Sequence, residues 1–571
     1  MRATVVSFFL VLAASSVHAD TELVLRVVDE TGVETPARIE LIDAEGRAHV
    51  ARDGLLVRRE CFVAPLPEWL APLQESREID NPYTGTTQFY ADGTAHLSLP
   101  PGSYKLRAYK GPEYRRTEQA VEIGDGGPQE VTVELERWAD PAARGWYGVD
   151  DHLHITRNRP EQNDWIARWM RAEGLHVANL LEMGTQVQLS VTPQYSFGDG
   201  GAYRDGELLL LAGQEHPRTH FLGHTITLGT TQRVDNRDTY IVYESTFAEG
   251  QRVGGVSGFA HWGIGNARSG LAISAPTGRV RFMEVLQFEV PYYDVWYQML
   301  NLGVRIAPSA GTDFPCGPPG LPGRERFYVH VDGPMDRAAF VAAVRAGRTF
   351  TSNGPLIELR VNGAGPGDDV DLDKPGSVSI RGRVHFDPEQ DRIDLVELVM
   401  NGRVIETESK PSAPGEILLS AEIPVERSAW FALRSSGGKL GEDGPLPERI
   451  PQWALDLFSN VANGAGGPEM SDFRDNMVER VSAAHTAAIF VGVAGASPAA
   501  PTAKLAQEWL DRLSELEDRL SEDRIAEIPI WDWIPYSDGV SEQHLRHNRD
   551  ALLQAIAQAR PFYERQIPEG D

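Results

Sequence analysis

The chain has little cysteine, a deficit of positive charge and, beyond its first residues, no long hydrophobic run. Two cysteines in 571 residues, Cys61 and Cys316, cannot build a disulfide framework. Two free thiols are the expectation. Lys and Arg total 54 against 82 Asp and Glu, for a formal net charge of −28. That balance repels nucleic acid phosphates and anionic lipid headgroups, so polynucleotide binding is excluded. No later segment reaches the ~20 apolar residues needed to span a bilayer, so the mature chain is expected to have no transmembrane segment. The sequence also has no Gly-x-Ser-x-Gly elbow for a serine triad and no Gly-x-x-x-x-Gly-Lys-(Ser/Thr) phosphate loop.

The sequence does open with Arg2, an apolar run over 5–14 and then Val17-His18-Ala19, the layout of a secretory signal peptide cleaved after Ala19. The protein is therefore expected to be exported, either periplasmic or extracellular. With 41% hydrophobic and 24% charged residues the remainder reads as ordinary globular protein. At roughly 150 residues per domain, its length predicts three or four domains.

The chain divides by pattern. Residues 20–138 alternate in short β-type runs broken by turns such as Pro100-Pro101-Gly102, which predicts an N-terminal β-sandwich. Over 139–355 apolar strands alternate with amphipathic helices, the mark of a parallel α/β arrangement. Candidate strands there are WYGVDDHL, HVANLLE, LLLLAG, VSGFAH, FMEVLQF and VRIAPSAG. Residues 356–495 return to β-type runs and predict a second sandwich. Residues 496–571 read as a helical segment, with leucines spaced for one buried face.

Potential metal ligands fall at the ends of these central strands. His152 and His154 lie two apart on a strand, so both imidazoles face the same way. Glu182 ends the next strand. Glu215 follows the third, in a loop that also holds His216, His220 and His224. His261 and Asp313 each follow small-residue strand ends, where backbone can approach an ion closely. In a closed parallel barrel the strand ends share one rim, which is where active sites form. Glu215 and His224 are the choices from their loop, with His216 and His220 left to outer or substrate-facing roles.

The blocks Gly148-Val149-Asp150-Asp151-His152-Leu153-His154, Gly213-Gln214-Glu215, Gly223-His224, Ala260-His261 and Gly311-Thr312-Asp313 resemble the PHP (polymerase and histidinol phosphatase) superfamily, and within it the CehA/McbA-type metallohydrolases. The segment Gly347-Arg348-Thr349-Phe350-Thr351-Ser352-Asn353-Gly354-Pro355 is similar to the element that closes the catalytic domain in that group. The resemblance covers roughly 146–355 and implies a distorted (β/α)7 barrel, here flanked by β-sandwich domains and a helical C-terminal segment. It implies one to three divalent ions, zinc, manganese or iron, and carries the ligand role to His152, His154, Glu215, His261 and Asp313.

Two departures stand out. Leu181-Glu182-Met183 replaces the family's Asp-His pair, and Phe314-Pro315-Cys316 stands where a histidine often follows the last aspartate. Fewer imidazoles predict one or two ions. The expected chemistry is hydrolysis of an ester-type bond in a small-molecule or polymer-linked substrate, whether phosphoester, carboxylic ester or carbamate. Catalytic roles are assigned to Glu182 (or Asp150) as proton acceptor, His224 as polarising or proton-donating group, and Arg348 and Asn353 as oxyanion donors. A reading of a different class is a glycan or cell-surface binding protein that keeps a structural metal. Oligomeric state is left open.

Overall fold

A computed structural model describes residues 20–58, 75–81, 85–184, 190–219, 221–261, 267–288, 290–316, 320–440, 481–525 and 542–567. The expected leader and Cys61 lie outside the described residues, as does His220. The protein is multidomain and mostly β-sheet, with a few helices. Among the described residues no helix is long and apolar enough to cross a membrane.

The N-terminal part is an eight-stranded sheet, running from Thr117–Ile123 through Gly102–Tyr109, Pro36–Asp43, Thr87–Asp92, Thr94–Leu99 and Thr21–Asp29 to Gln129–Leu135, with Ile79–Asp80 on its side. Alternate residues such as Leu23, Leu25, Ile39, Leu41, Phe89, Leu97 and Leu106 turn inward to a single core. A period of two, half buried and half solvated, is what selected strand rather than helix here.

In the central part Trp146–Leu153, Val177–Gly184 and Leu208–Thr219 pair in parallel. Val256–Phe259, Val280–Gln287 and Ala307–Ala310 form a second parallel set. Between the two sets stands Gly223–Leu228, antiparallel to both neighbours and joined to Leu208–Thr219 as a hairpin. Arg326–His330 runs antiparallel to the first strand. The sheet is therefore mixed, whereas the sequence pattern predicted strictly alternating parallel units. The difference is physical: three residues, 220–222, separate Thr219 from Gly223, enough for a hairpin and too few for a helical crossover.

Helices Asn163–Ala172, Tyr243–Arg252, Asp294–Asn301 and Arg337–Ala346 cover the sheet. The last is stopped by Gly347 in left-handed geometry, φ 74°, and started by the Asp336 carboxylate, which accepts from the Ala339 N–H. Val177, Leu181, Leu211, Phe282, Leu286 and Phe327 fill one core. Burying each such side chain contributes about 1.5–3 kcal/mol.

The C-terminal β region faces a three-stranded sheet, Leu356–Val361, Gly376–His385 and Glu416–Val425, onto strands that include Asp391–Met400, Ala429–Lys439 and Ile489–Val493. Val481–Thr486 also pairs with Thr349–Ser352, so hydrogen bonds cross the expected boundary at residue 355. Helices Ala503–Arg519 and Glu542–Glu564 pack back on the central part, where Trp509, Leu513, Leu516, Ile556 and Tyr563 share a core with Leu271 and Trp296.

Cys316 is disulfide-bonded, which corrects the expectation of free thiols and removes its sulfur from metal binding.

Because Leu513 is fully buried in the shared core, Leu513→Ala is expected to destabilise the protein by about 2–5 kcal/mol. The exposed Leu418, 45% accessible, should tolerate Leu418→Ala within about 0.5 kcal/mol. Denaturant titration of both variants checks this.

Candidate metal centre

Each expected ligand is carried to one place by a strand or the residues just after it; Glu215 lies inside Leu208–Thr219 rather than in the loop expected there, because pairing with Gly223–Leu228 extends that strand. His152 lies near the end of Trp146–Leu153, and His154 follows it, its N–H donating to the Phe314 carbonyl at 2.7 Å. That bond, with the bridge from Leu153 to Phe314, draws Asp313 against both histidines. Gly311 allows the approach: a Cβ there would lie 2.7 Å from the His152 Cβ and would run into Asp151. His261 and Asp313 sit in left-handed backbone, φ 46° and 53°, which non-glycine residues rarely adopt. Such strain persists only where the surroundings enforce it.

His152, His154, Glu215, His261 and Asp313 are brought together and are nearly inaccessible, the most exposed being His261 at 7%. The two ring Nε2 atoms of His152 and His154 lie 3.1 Å apart. Asp313 Oδ1 is 3.0 Å from His154 Nε2 and 3.4 Å from His152 Nε2. Glu215 Oε2 is 3.3 Å from His154 Nε2, and Glu215 Oε1 is 3.2 Å from His261 Nε2. Overlapping ligand groups result: His152, His154 and Glu215; His152, His261 and Asp313; and Glu215, His224 and His261, each with its atoms within 4.8 Å of one another.

The opposite ring nitrogens explain why a cation fits. His152 Nδ1 is 2.9 Å from Glu284 Oε1, His154 Nδ1 is 3.3 Å from the Leu181 carbonyl, and His261 Nδ1 is 2.9 Å from Gln287 Oε1. All three partners are acceptors, so each Nδ1 donates outward and each Nε2 turns inward. Three ring nitrogens and two carboxylates then face one another. A proton or a metal ion must lie among them, and anchoring of the outer nitrogens is the usual support of metal-bound histidine.

The electrostatics agree. Burial disfavours charge on His152, yet Glu284 and Asp313 outweigh it and hold the imidazole well above its ordinary value. His261 is raised against burial by Asp313 and Glu215. Glu215 is held well below the carboxylate range, burial being overcome by His224 and by bonds from His152 and His154. Asp313 is lowered despite burial by His152 and His261. Without a metal, protons supply the positive charge that the carboxylates require.

Several expected residues stand elsewhere. Arg348, expected as an oxyanion donor, is 43% exposed and paired with Asp332. Its carbonyl accepts from His330, which is in register with Trp146, at the opposite end of the strand that delivers His152. Six residues separate those ends, about 20 Å at strand rise. Asn353 is buried, but its amide is spent on the backbone of Val481 and Ala483. Glu182 pairs in register with Gln214 rather than Glu215, and its carboxylate is ion-paired with Arg233 while Gln214 clamps Val234. It braces that segment. Asp150 is no free base either: it accepts from the N–H groups of His152, Thr312 and Gly323 and from the Thr312 hydroxyl. His216 packs edge-on against Tyr240, and neither of its ring nitrogens is hydrogen-bonded among the described residues.

His224 is at the group, its Nδ1 2.6 Å from Glu215 Oε1, and burial pushes it down to about 4, so it is neutral at pH 7. Sequence reasoning missed two groups. Glu284 holds His152 with one oxygen and the His261 N–H with the other, at 2.9 and 2.7 Å. Its signal was a lone carboxylate inside the apolar strand Val280–Gln287. Arg218, 4% exposed, lies 3.5 Å from Glu215 Oε2 and is the arginine that the fold delivers to this place.

Comparison with known proteins adds no family. No family model matches the chain, and no curated protein matches it. A solved structure titled "Structure of the Streptococcal ancillary pilin" is similar over 24% of this chain and 38% of its own, at 16% identity and a TM-score of 0.14. This chain thus spans little more than a third of that protein, and so slight a likeness carries no argument.

Two outcomes follow from the geometry. Glu284→Gln is expected to weaken divalent-ion affinity about 10–100-fold, measured by competition with a chromogenic chelator. Because His152 and His261 carry raised proton affinities in the metal-free group, ion binding must displace those protons. Affinity should therefore rise with pH and fall on acidification, by about tenfold per pH unit for each proton released.

Proposed function

We propose that the protein is an exported, divalent-metal-dependent hydrolase of ester-type bonds, a PHP-superfamily member of the CehA/McbA kind with a distorted (β/α)7 barrel between two β-sandwiches. The observation that carries this reading is the convergence of three histidine Nε2 atoms and two carboxylates from the strands of the central sheet and the residues just after them. The two parallel strand sets, with helices after three of their strands, support the barrel. The overlapping ligand groups favour one or two ions. Mixed nitrogen and oxygen ligation suits zinc, manganese or iron.

The residues present fit such an ion: His152, His154, Glu215, His261 and Asp313 would hold it, with Glu284, Gln287 and the Leu181 carbonyl fixing the rings. When bound, it would supply Lewis-acid polarisation and a water acidified towards neutral pH. Arg218 places a buried positive charge beside Glu215, suited to negative charge that develops on an ester substrate. His224 keeps its proton on Nδ1 and so holds the Glu215 carboxylate in position. Asp150 and Gly311 set the backbone against which His152 and Asp313 meet.

Near-complete burial of the ligands favours a second reading, a glycan or cell-surface binder with a structural ion. The two readings separate on His152→Ala assayed with aryl phosphodiester, aryl ester and aryl carbamate. The hydrolase reading predicts turnover by the metal-loaded wild type on one of these, reduced at least ~10³-fold in His152→Ala, since the ion supplies several kcal/mol of transition-state stabilisation. Arg348→Ala should keep activity within about twofold, as that side chain is exposed and remote. Wild-type inactivity on all three classes, with lowered thermal stability in His152→Ala, would favour the binder.

A further inference from the structure

A polar cavity of about 80 Å³ lies where the N-terminal, central and C-terminal parts meet. Its walls carry Arg38, Lys110, Arg116, Arg324, Arg326 and Lys439, against two carboxylates, Glu173 and Asp391. This is an inversion of the chain as a whole, in which acidic residues outnumber basic ones by 82 to 54. Placing like charges together under partial burial costs stability unless an opposite charge joins them.

The carboxylates present are already engaged. Glu173 is paired with Arg38 at 2.8 Å, and Asp391 with Lys439 at 2.5 Å. Arg326 donates to the carbonyls of Gly323, Gly174 and Glu173. Lys110 donates to the carbonyls of Pro36 and Arg171. Carbonyls satisfy hydrogen bonding without neutralising charge, and burial, with Arg171 adding to it, pushes the Lys110 ammonium down to about 7. A further buried carboxyl, Glu113, bonds Tyr328 and is itself raised to about 7 by burial, so it is a weak counter-charge. Arg116 is half-buried and, among the described residues, makes no ion pair.

We propose that this junction cavity binds a small oxyanion, with Arg116 and Lys110 among its donors. The volume limits the ligand: a water needs about 10–15 Å³ of such space, so the cavity takes one phosphate- or carboxylate-sized group rather than a polymer. Guanidinium groups match such anions through paired N–H donors. The cavity wall at Gly323 donates to Asp150, whose carboxylate also holds the backbone of His152 and Thr312. A bound anion would thus press on the frame of the metal centre without touching its ligands.

The test is isothermal titration of inorganic phosphate into the mature full-length protein at constant ionic strength in sodium chloride. The variants are Arg116→Ala, Arg116→Lys, Lys110→Met and His152→Ala. The wild type should bind one phosphate per chain saturably at this cavity. Arg116→Ala should weaken that binding about tenfold or more, as loss of a charge-assisted bond does. Arg116→Lys should recover part of it, and His152→Ala should leave it unchanged. Arg116 is not a core residue, so its variants keep the fold, which unchanged thermal unfolding verifies. Absence of saturable binding in the wild type overturns the proposal. So does binding that survives in both Arg116→Ala and Lys110→Met, or binding lost in His152→Ala, which would place the anion at the metal centre instead.

Discussion

Two imidazole Nε2 atoms lie 3.1 Å apart, each on a ring whose Nδ1 already donates to an oxygen, and the carboxylates of Asp313 and Glu215 crowd the same space with acceptors. Burying such a group in a low-dielectric interior is tolerable only with positive charge at its centre. Protons can supply it, as the raised imidazoles show, but a divalent ion satisfies all five groups at once. Much of the central sheet can be understood as the frame that forces these groups together.

That frame works through backbone as much as through side chains. Asp150 collects donors from three separate segments, at His152, Thr312 and Gly323. It thereby ties the first strand to the loop after Ala307–Ala310. Gly311 leaves the space into which Asp151 and His152 pack, and the left-handed backbone at His261 and Asp313 turns both side chains inward. Glu284 then fixes two histidines with one carboxylate. The ligands are held on strand ends and short connections rather than on long loops, as a preorganised site requires.

The sequence was most legible where chemistry and periodicity coincided. The pair His152 and His154 at a strand end, and His261 and Asp313 just after strands, are brought together as parallel strands ending on one side would bring them, whereas Glu215 reaches the same place from inside Leu208–Thr219. The helix ending at Gly347 was readable from its apolar spacing and its glycine. What local pattern could not supply was direction. Glu182 ends its strand like the others, yet its register with Gln214 sends it to Arg233. Arg348 and Asn353 lie close together in sequence, but Thr349–Ser352 between them carries Arg348 to the far end of the sheet. The hairpin through Gly223–Leu228 was hidden because its strand is short and its histidine drew the reading towards a loop. Glu284 was hidden because it sits in a strand read as core.

The central claim is that this buried group holds a metal through imidazole and carboxylate. It is tested most directly by metal analysis of the purified mature protein together with X-ray absorption at the edge of whatever ion is found. Expected are one or two divalent ions per chain, coordination by nitrogen and oxygen with two or three imidazoles and no sulfur, and loss of that signal in His152→Ala. A chain that takes up no zinc, manganese or iron, or one whose metal signal is unchanged in His152→Ala, would contradict it.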